Sequence, residues 1–240
     1  METRRGGTSV LMLPWLAHDH MSPFLELAKR LTEKNFHIYF CSTKVNLISV
    51  EKMLSQKYSH SIQLVELHLP FGPKLPPHYH TTNGLPSHLM PILKMAFEKS
   101  KPSFLRILNT LNPDLVMFDF NQPWVSTAAS SLNIPSILFL TFGDLVCESI
   151  RLSRDVILIK TSREIEGEYI DYLSMLANKK IQPVGPLVQE IVDEDEDIEV
   201  MRFLWKKDEY SVVYISFGSE IFLSKEDREE IAHGLELSAA

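Results

Sequence analysis

LPWLAHDHMSPFLELAKRL, residues 13–31, decides how the chain is read. An apolar run ends, two histidines flank an aspartate, and a helical pattern begins. Phe24, Leu25, Leu27, Ala28 and Leu31 recur at the spacing of one helical face. Ser22 reads as the N-cap and Pro23 as the first helical residue, where its missing N–H costs nothing. The stretch is therefore a strand, a turn carrying His18, Asp19 and His20, and a helix.

The same grammar repeats along the chain. Apolar runs without alternation occur at residues 9–14 (SVLMLP), 36–42 (FHIYFCS), 115–120 (LVMFDF), 136–142 (SILFLTF), 155–160 (DVILIK) and 211–217 (SVVYISF). Runs of this kind suit strands buried on both faces of a parallel sheet. Between them, residues 86–112 carry a long amphipathic pattern broken by prolines, which predicts two helical pieces. QPWVSTAASSLN, residues 122–133, predicts a short helix. Strand alternating with helix gives an α/β, doubly wound class.

Turn residues and an acidic run, Asp193–Asp197, mark an exposed linker over 188–207. Beyond it, residues 208–240 open a second unit with one strand and one helix, the latter announced by Ser224 and Asp227 as a capping box. One strand and one helix cannot bury a core, so this second unit is predicted to be unfinished.

Composition bounds the partners. Of 240 residues, 45% are hydrophobic and 23% charged, with a formal net charge of -7, which argues against a nucleic-acid partner, since phosphate binding needs a basic face. No stretch approaches the roughly 18 apolar residues of a membrane helix. The N-terminal apolar run holds Pro14, and no small-residue cleavage site follows it, so it reads as a cytosolic start. Two cysteines, Cys41 and Cys147, are too few for a disulfide framework and fit a reducing compartment.

Three readings of the 18–20 turn stay open on the residues alone. In an extended segment His18 and His20 would point the same way and could share a metal, with Asp19, His78, His80 or Asp119 completing the set. They could equally decorate a loop. In the third reading, His20 lies past the first strand at the start of a helix, whose dipole disfavours imidazolium. Asp119 ends another apolar strand. If both strands are parallel in one sheet, the pair shares its carboxyl edge, where ligands bind. A carboxylate on one imidazole nitrogen leaves the other as a base. Taken alone, Asp119 could simply cap the following helix. Gly218 and Ser219, between a predicted strand and helix, suit a phosphate oxygen, or form an ordinary turn.

Four ordered stretches then carry a resemblance: residues 12–31, residues 113–140, VGPL at 184–187, and SVVYISFGSE at 211–220. Together they resemble the plant UDP-sugar-dependent glycosyltransferases of the GT-B type, and most of all the branch that lengthens the sugar chains of terpenoid glycosides. The resemblance implies two Rossmann-like domains, an acceptor-binding one over 1–187 and the start of a UDP-sugar-binding one from 208. It implies His20 as base and Asp119 as its orienting partner. Gly218 and Ser219 would touch the diphosphate, and Trp15, His18, Asp19, Phe120 and Asn121 would line the acceptor site. It implies inverting transfer from UDP-glucose to a glycoside hydroxyl, no metal or other cofactor, and possibly a second chain supplying the rest of the donor domain. Three departures accompany it. The family's segment for uracil, ribose and glucose is missing, the stretch after Phe142 is short, and Asp19 stands where the family usually has glycine.

Overall fold

The computed structural model describes residues 7–70, 72, 75–141, 150, 156–188, 195–209, 211–217 and 223–238. The chain divides into two compact units, Met1–Val188 and Gln189–Ala240.

The first unit is built on seven parallel strands: β1 (Ser9–Leu13), β2 (His37–Ser42), β3 (Ile62–Glu66), β4 (Leu115–Phe118), β5 (Ser136–Leu140), β6 (Val156–Ile159) and β7 (Lys180–Pro183). Their spatial order is β3-β2-β1-β4-β5-β6-β7. The order reverses between β1 and β4, which pair directly, with Leu13 opposite Phe118. Strand pleating sends alternate residues to opposite faces. Val10 and Met12 join one core layer with Phe24, Leu25 and Ala28 of α1 (His18–Thr32) and Val50 of α2 (Lys44–Met53). Leu11, Leu13, Val116 and Phe118 join the other, with Leu93 and Phe97 of α3 (Met90–Glu98), Phe104 of α4 (Lys101–Leu111), Val125 of α5 (Trp124–Ser130) and Ile170 of α6 (Arg163–Ala177). Helices thus cover both faces, and the strands between them are apolar because neither face meets water.

Five of the six predicted strands of the chain form in this sheet, and the long 86–112 pattern splits into α3 and α4. The two edge strands, β3 and β7, were not readable as apolar runs. IQLVE and KIQP mix polar with apolar residues because an edge is half-exposed. Helices α4 and α6 end at Asn112 and Asn178, both with left-handed backbone, the conformation asparagine tolerates at a helix C-terminus.

The start of α1 differs from the expectation. The helix begins at His18, with Ala17 as its cap, and Pro23 lies inside it. The Met21 N–H already bonds the Ala17 carbonyl at 2.9 Å. Pro23 therefore withholds an N–H from the Asp19 carbonyl, and burial of Met21, Phe24, Leu25 and Ala28 compensates.

The second unit holds α7 (Asp195–Leu204) and α8 (Lys225–Ser238). Helix α7 thus lies within the stretch read as a linker. The capping box forms: Asp227 N–H donates to Ser224 Oγ at 3.0 Å, and the Ser224 N–H and hydroxyl return to Asp227 Oδ2 at 3.1 and 2.7 Å. The predicted strand at 211–217 does not form among the described residues. Its side chains are open, from 41% for Val212 to 88% for Tyr214. No side chain of α8 is buried. Among the described residues, no helix is long and apolar enough to cross a membrane.

Candidate active site

Strands β1 and β4 end side by side, and the two loops that leave them meet. Asp119 follows the last residue of β4 and is fully buried. Its Oδ1 accepts the Phe120 N–H at 2.7 Å, and its Oδ2 accepts the Trp15 N–H at 3.2 Å. The same Oδ2 lies 2.7 Å from His20 Nδ1. His20 sits in the first turn of α1, 3% exposed, with its ring 5.7 Å from that of Phe120. The shared edge on which the pairing of His20 with Asp119 depended is thus present in the fold.

A carboxylate accepts and does not donate, so Nδ1 carries the proton in this contact. Nε2 then holds the lone pair and can take a proton from a bound hydroxyl. Thr141, at the end of β5, brings its hydroxyl 3.3 Å from the same Nδ1. Gln122 closes the Asp119 loop with its side chain, as Asp119 N–H donates to Gln122 Oε1 at 3.1 Å. Neither Thr141 nor Gln122 was singled out from the sequence. A lone threonine after a strand and a glutamine beside Pro123 carry no pattern of their own.

The other sequence-predicted residues are placed differently. Trp15 is 1% exposed, packed edge-on to Phe97 with ring centroids 5.3 Å apart. As placed, it is a core residue that serves the site through its backbone N–H. His18 and Asp19 are exposed on the first turn of α1, and Phe120 and Asn121 are half-buried in the loop after Asp119. Residues two apart on a helix diverge, so the extended geometry on which shared metal ligation by His18 and His20 rested is replaced: one faces water and the other the interior. Among the described residues no cluster of three or more His, Cys, Asp or Glu is arranged to hold a metal ion. Gly218, Ser219 and the shortened stretch after Phe142 lie outside the described residues, as does Cys147. Cys41 is buried and in no disulfide, and burial pushes its thiol pKa up.

His80 is buried at the carboxyl side of the same sheet. Its carbonyl accepts the Thr43 hydroxyl at 2.6 Å, and Thr82 beside it donates to the Leu16 carbonyl. Burial lowers the His80 pKa; the Leu75 carbonyl acts against this and the neighbouring His78 adds to it. The unfolded chain, titrating near about 6.5, then takes up a proton that the folded chain refuses. Stability from His80 is complete above that value and is lost as pH falls through the lower folded value. The melting temperature of the parent should therefore drop between about pH 7 and pH 5 more steeply than that of His80→Gln. Superimposable pH curves would show that His80 does not couple folding to protons.

Known proteins resemble the chain in sequence and in fold. Residues 7–140 match the glycosyltransferase N-terminal domain family. Mogroside IIIx synthase of Siraitia grosvenorii is 45% identical over 96% of this chain and 60% of its own length. The beta-D-glucosyl crocetin beta-1,6-glucosyltransferase of Gardenia jasminoides is 44% identical over 95% of this chain and 63% of its own length. The chain thus spans less than two thirds of these relatives. The crystal structure of Glycyrrhiza uralensis UGT73P12, complexed with glycyrrhetinic acid 3-O-monoglucuronide, superimposes with a TM-score of 0.79 at 21% identity, over 97% of this chain and 61% of that one. At that identity the superposition speaks for the fold, which is the GT-B arrangement of the N-terminal portion. With the family matched along residues 7–140 and curated relatives alike over almost the whole chain, the protein belongs to the plant UDP-glycosyltransferases.

Proposed function

We propose that this chain is the acceptor-binding part of an inverting glucosyltransferase that moves glucose from UDP-glucose to a hydroxyl of a small-molecule acceptor. The acceptor we infer is a terpenoid glycoside, and the hydroxyl one on its existing sugar. The observation that carries the reading is the buried 2.7 Å contact between His20 Nδ1 and Asp119 Oδ2 at the carboxyl edge of the sheet. His20 Nε2 takes the acceptor's proton as the acceptor oxygen forms its bond to the anomeric carbon. The bond from that carbon to the UDP oxygen breaks on the opposite face, and UDP leaves with the electron pair. Attack opposite to departure inverts the centre, giving a β-glucoside. Asp119 keeps the imidazole in the required tautomer and stabilises the imidazolium. Phe120 and Asn121 face the acceptor, with His18 and Asp19 at the rim, and Gly218 and Ser219 meet the diphosphate. The step needs no metal or other cofactor, so transfer should be indifferent to a chelator. A cytoplasmic setting accords with the free Cys41.

The likeness of the Gardenia relative supports the acceptor class, because its name specifies a glucosylated substrate and a β-1,6 bond. The test is to join this chain to the C-terminal domain of the Siraitia relative and offer it UDP-glucose with terpenoid glycosides and the matching aglycones. Glucosides of the glycosides, with inverted configuration, are expected. Products from aglycones alone would refute the acceptor class.

A second reading concerns the 240 residues by themselves. The described part of 208–240 has no paired strand, and α8 buries no side chain. We therefore expect these residues alone to be an acceptor-binding piece without transfer activity, dependent on the remaining donor domain, from the same polypeptide or a second chain. Calorimetry of the 240-residue protein with UDP-glucose should give no measurable heat. Micromolar affinity would refute this reading.

A further inference from the structure

We infer that Gln122 is the positioning residue that holds Asp119 in line with His20, an inference that rests on reading His20 as the base. Asp119 lies in the loop from β4 to α5, and such loops are the least constrained part of an α/β unit. Here the loop is closed on itself by two reciprocal bonds. The Asp119 N–H donates to Gln122 Oε1 at 3.1 Å, and the Gln122 N–H donates to the Asp119 carbonyl at 3.2 Å. Gln122 also starts the next element, since its carbonyl accepts the Val125 N–H at 3.0 Å. The Asp119 backbone is therefore tied to the first turn of α5 through one side chain.

The cost borne by that side chain supports a role beyond packing. Gln122 is fully buried, and its Nε2 has no hydrogen-bond partner among the described residues. An amide donor taken out of water and left unpaired is unfavourable, and a methionine of similar shape would avoid it. What glutamine supplies that methionine lacks is the Oε1 acceptor for Asp119. Without it the Asp119 N–H is itself left unpaired, and the loop can turn the carboxylate away from Nδ1. Small misplacements of this kind lower the rate without weakening substrate binding.

The experiment uses the 240-residue protein uniformly labelled with ¹⁵N and ¹³C, the His20 ring signal being assigned by its loss in His20→Ala. In the parent, a scalar coupling through the hydrogen bond between the Asp119 amide nitrogen and Gln122 Cδ is expected, and the His20 ring should hold its proton on Nδ1. Gln122→Met should shift His20 toward the Nε2–H tautomer. Gln122→Glu, uncharged because an unpaired carboxylate is unfavourable in this buried place, keeps the acceptor oxygen and should hold the parent tautomer. In the protein completed with a donor domain, Gln122→Met should lose about tenfold to a hundredfold in kcat with little change in either KM. Absence of the coupling, a parent-like tautomer and kcat in Gln122→Met, or equal behaviour of Met and Glu variants would each overturn the assignment. If Gln122→Met does not fold, the coupling and the Glu variant decide alone. Transfer surviving His20→Ala would instead remove the base reading and leave the tautomer results standing, so the two failures are distinguishable.

Discussion

Replacing His20 with alanine, in the chain completed with a donor domain, is expected to lower transfer by about 10²–10⁴-fold. The argument is geometric. Among the described residues His20 is the one imidazole whose Nδ1 is held at 2.7 Å by a buried carboxylate, so its Nε2 is the nitrogen prepared to accept a proton. The alanine variant keeps the backbone of α1 and its bonds to Ala17, so donor and acceptor should still bind and the loss should fall on kcat. The internal control is His18→Ala, which removes an exposed ring from the same turn. It should leave kcat near the parent value. Equal losses from both, reversed by added metal, would favour joint ligation instead. Steady-state kinetics of the two variants, first with chelator and then with added metal, separates these outcomes.

Asp119→Asn should cost kcat about as much, on the order of 10⁴-fold. Both carboxylate oxygens accept from backbone N–H groups, Phe120 at Oδ1 and Trp15 at Oδ2, and Oδ2 also serves His20. Asparagine has one acceptor oxygen and one NH₂. With the NH₂ on the Oδ2 side, it opposes the Trp15 N–H and forces His20 Nδ1 to accept, which moves the ring proton to Nε2 and removes the base. With the NH₂ on the other side, it opposes the Phe120 N–H, an arrangement that costs stability. The variant should therefore show a lowered melting temperature together with the loss in kcat, and an Nε2–H signal for His20. Parent-like turnover by a folded Asp119→Asn would sink the assignment of Asp119 as orienting partner.

Much of this arrangement was legible in the sequence, for identifiable reasons. Central parallel strands announce themselves because both faces are buried, so β1, β2, β4, β5 and β6 appear as unbroken apolar runs. His20 and Asp119 were found because each follows such a run. Edge strands β3 and β7 were missed because half-exposure dilutes the signal. The segment 211–217 reads as a central strand by composition, yet it joins no ladder among the described residues, and a strand is defined by its pairing. The start of α1 was misread because Pro23 marks a first turn by propensity, while packing of Met21 and Phe24 extends the helix past it. Gln122 and Thr141 left no trace because single polar residues in loops acquire meaning only when the fold brings them to His20 and Asp119.

The pairing of β1 with β4 also governs when the His20–Asp119 pair can exist. The two residues are 99 positions apart. Closing a loop of that length costs chain entropy of about 4 kcal/mol before any contact offsets it. On the ribosome His20 precedes Asp119 by that same interval, roughly 5–20 s at ordinary elongation rates. Throughout that time the nascent chain carries an imidazole without its carboxylate, just past a first strand whose neighbour β4 has not been made. The contact between His20 and Asp119 is therefore acquired in one late event, when the fourth strand docks beside the first.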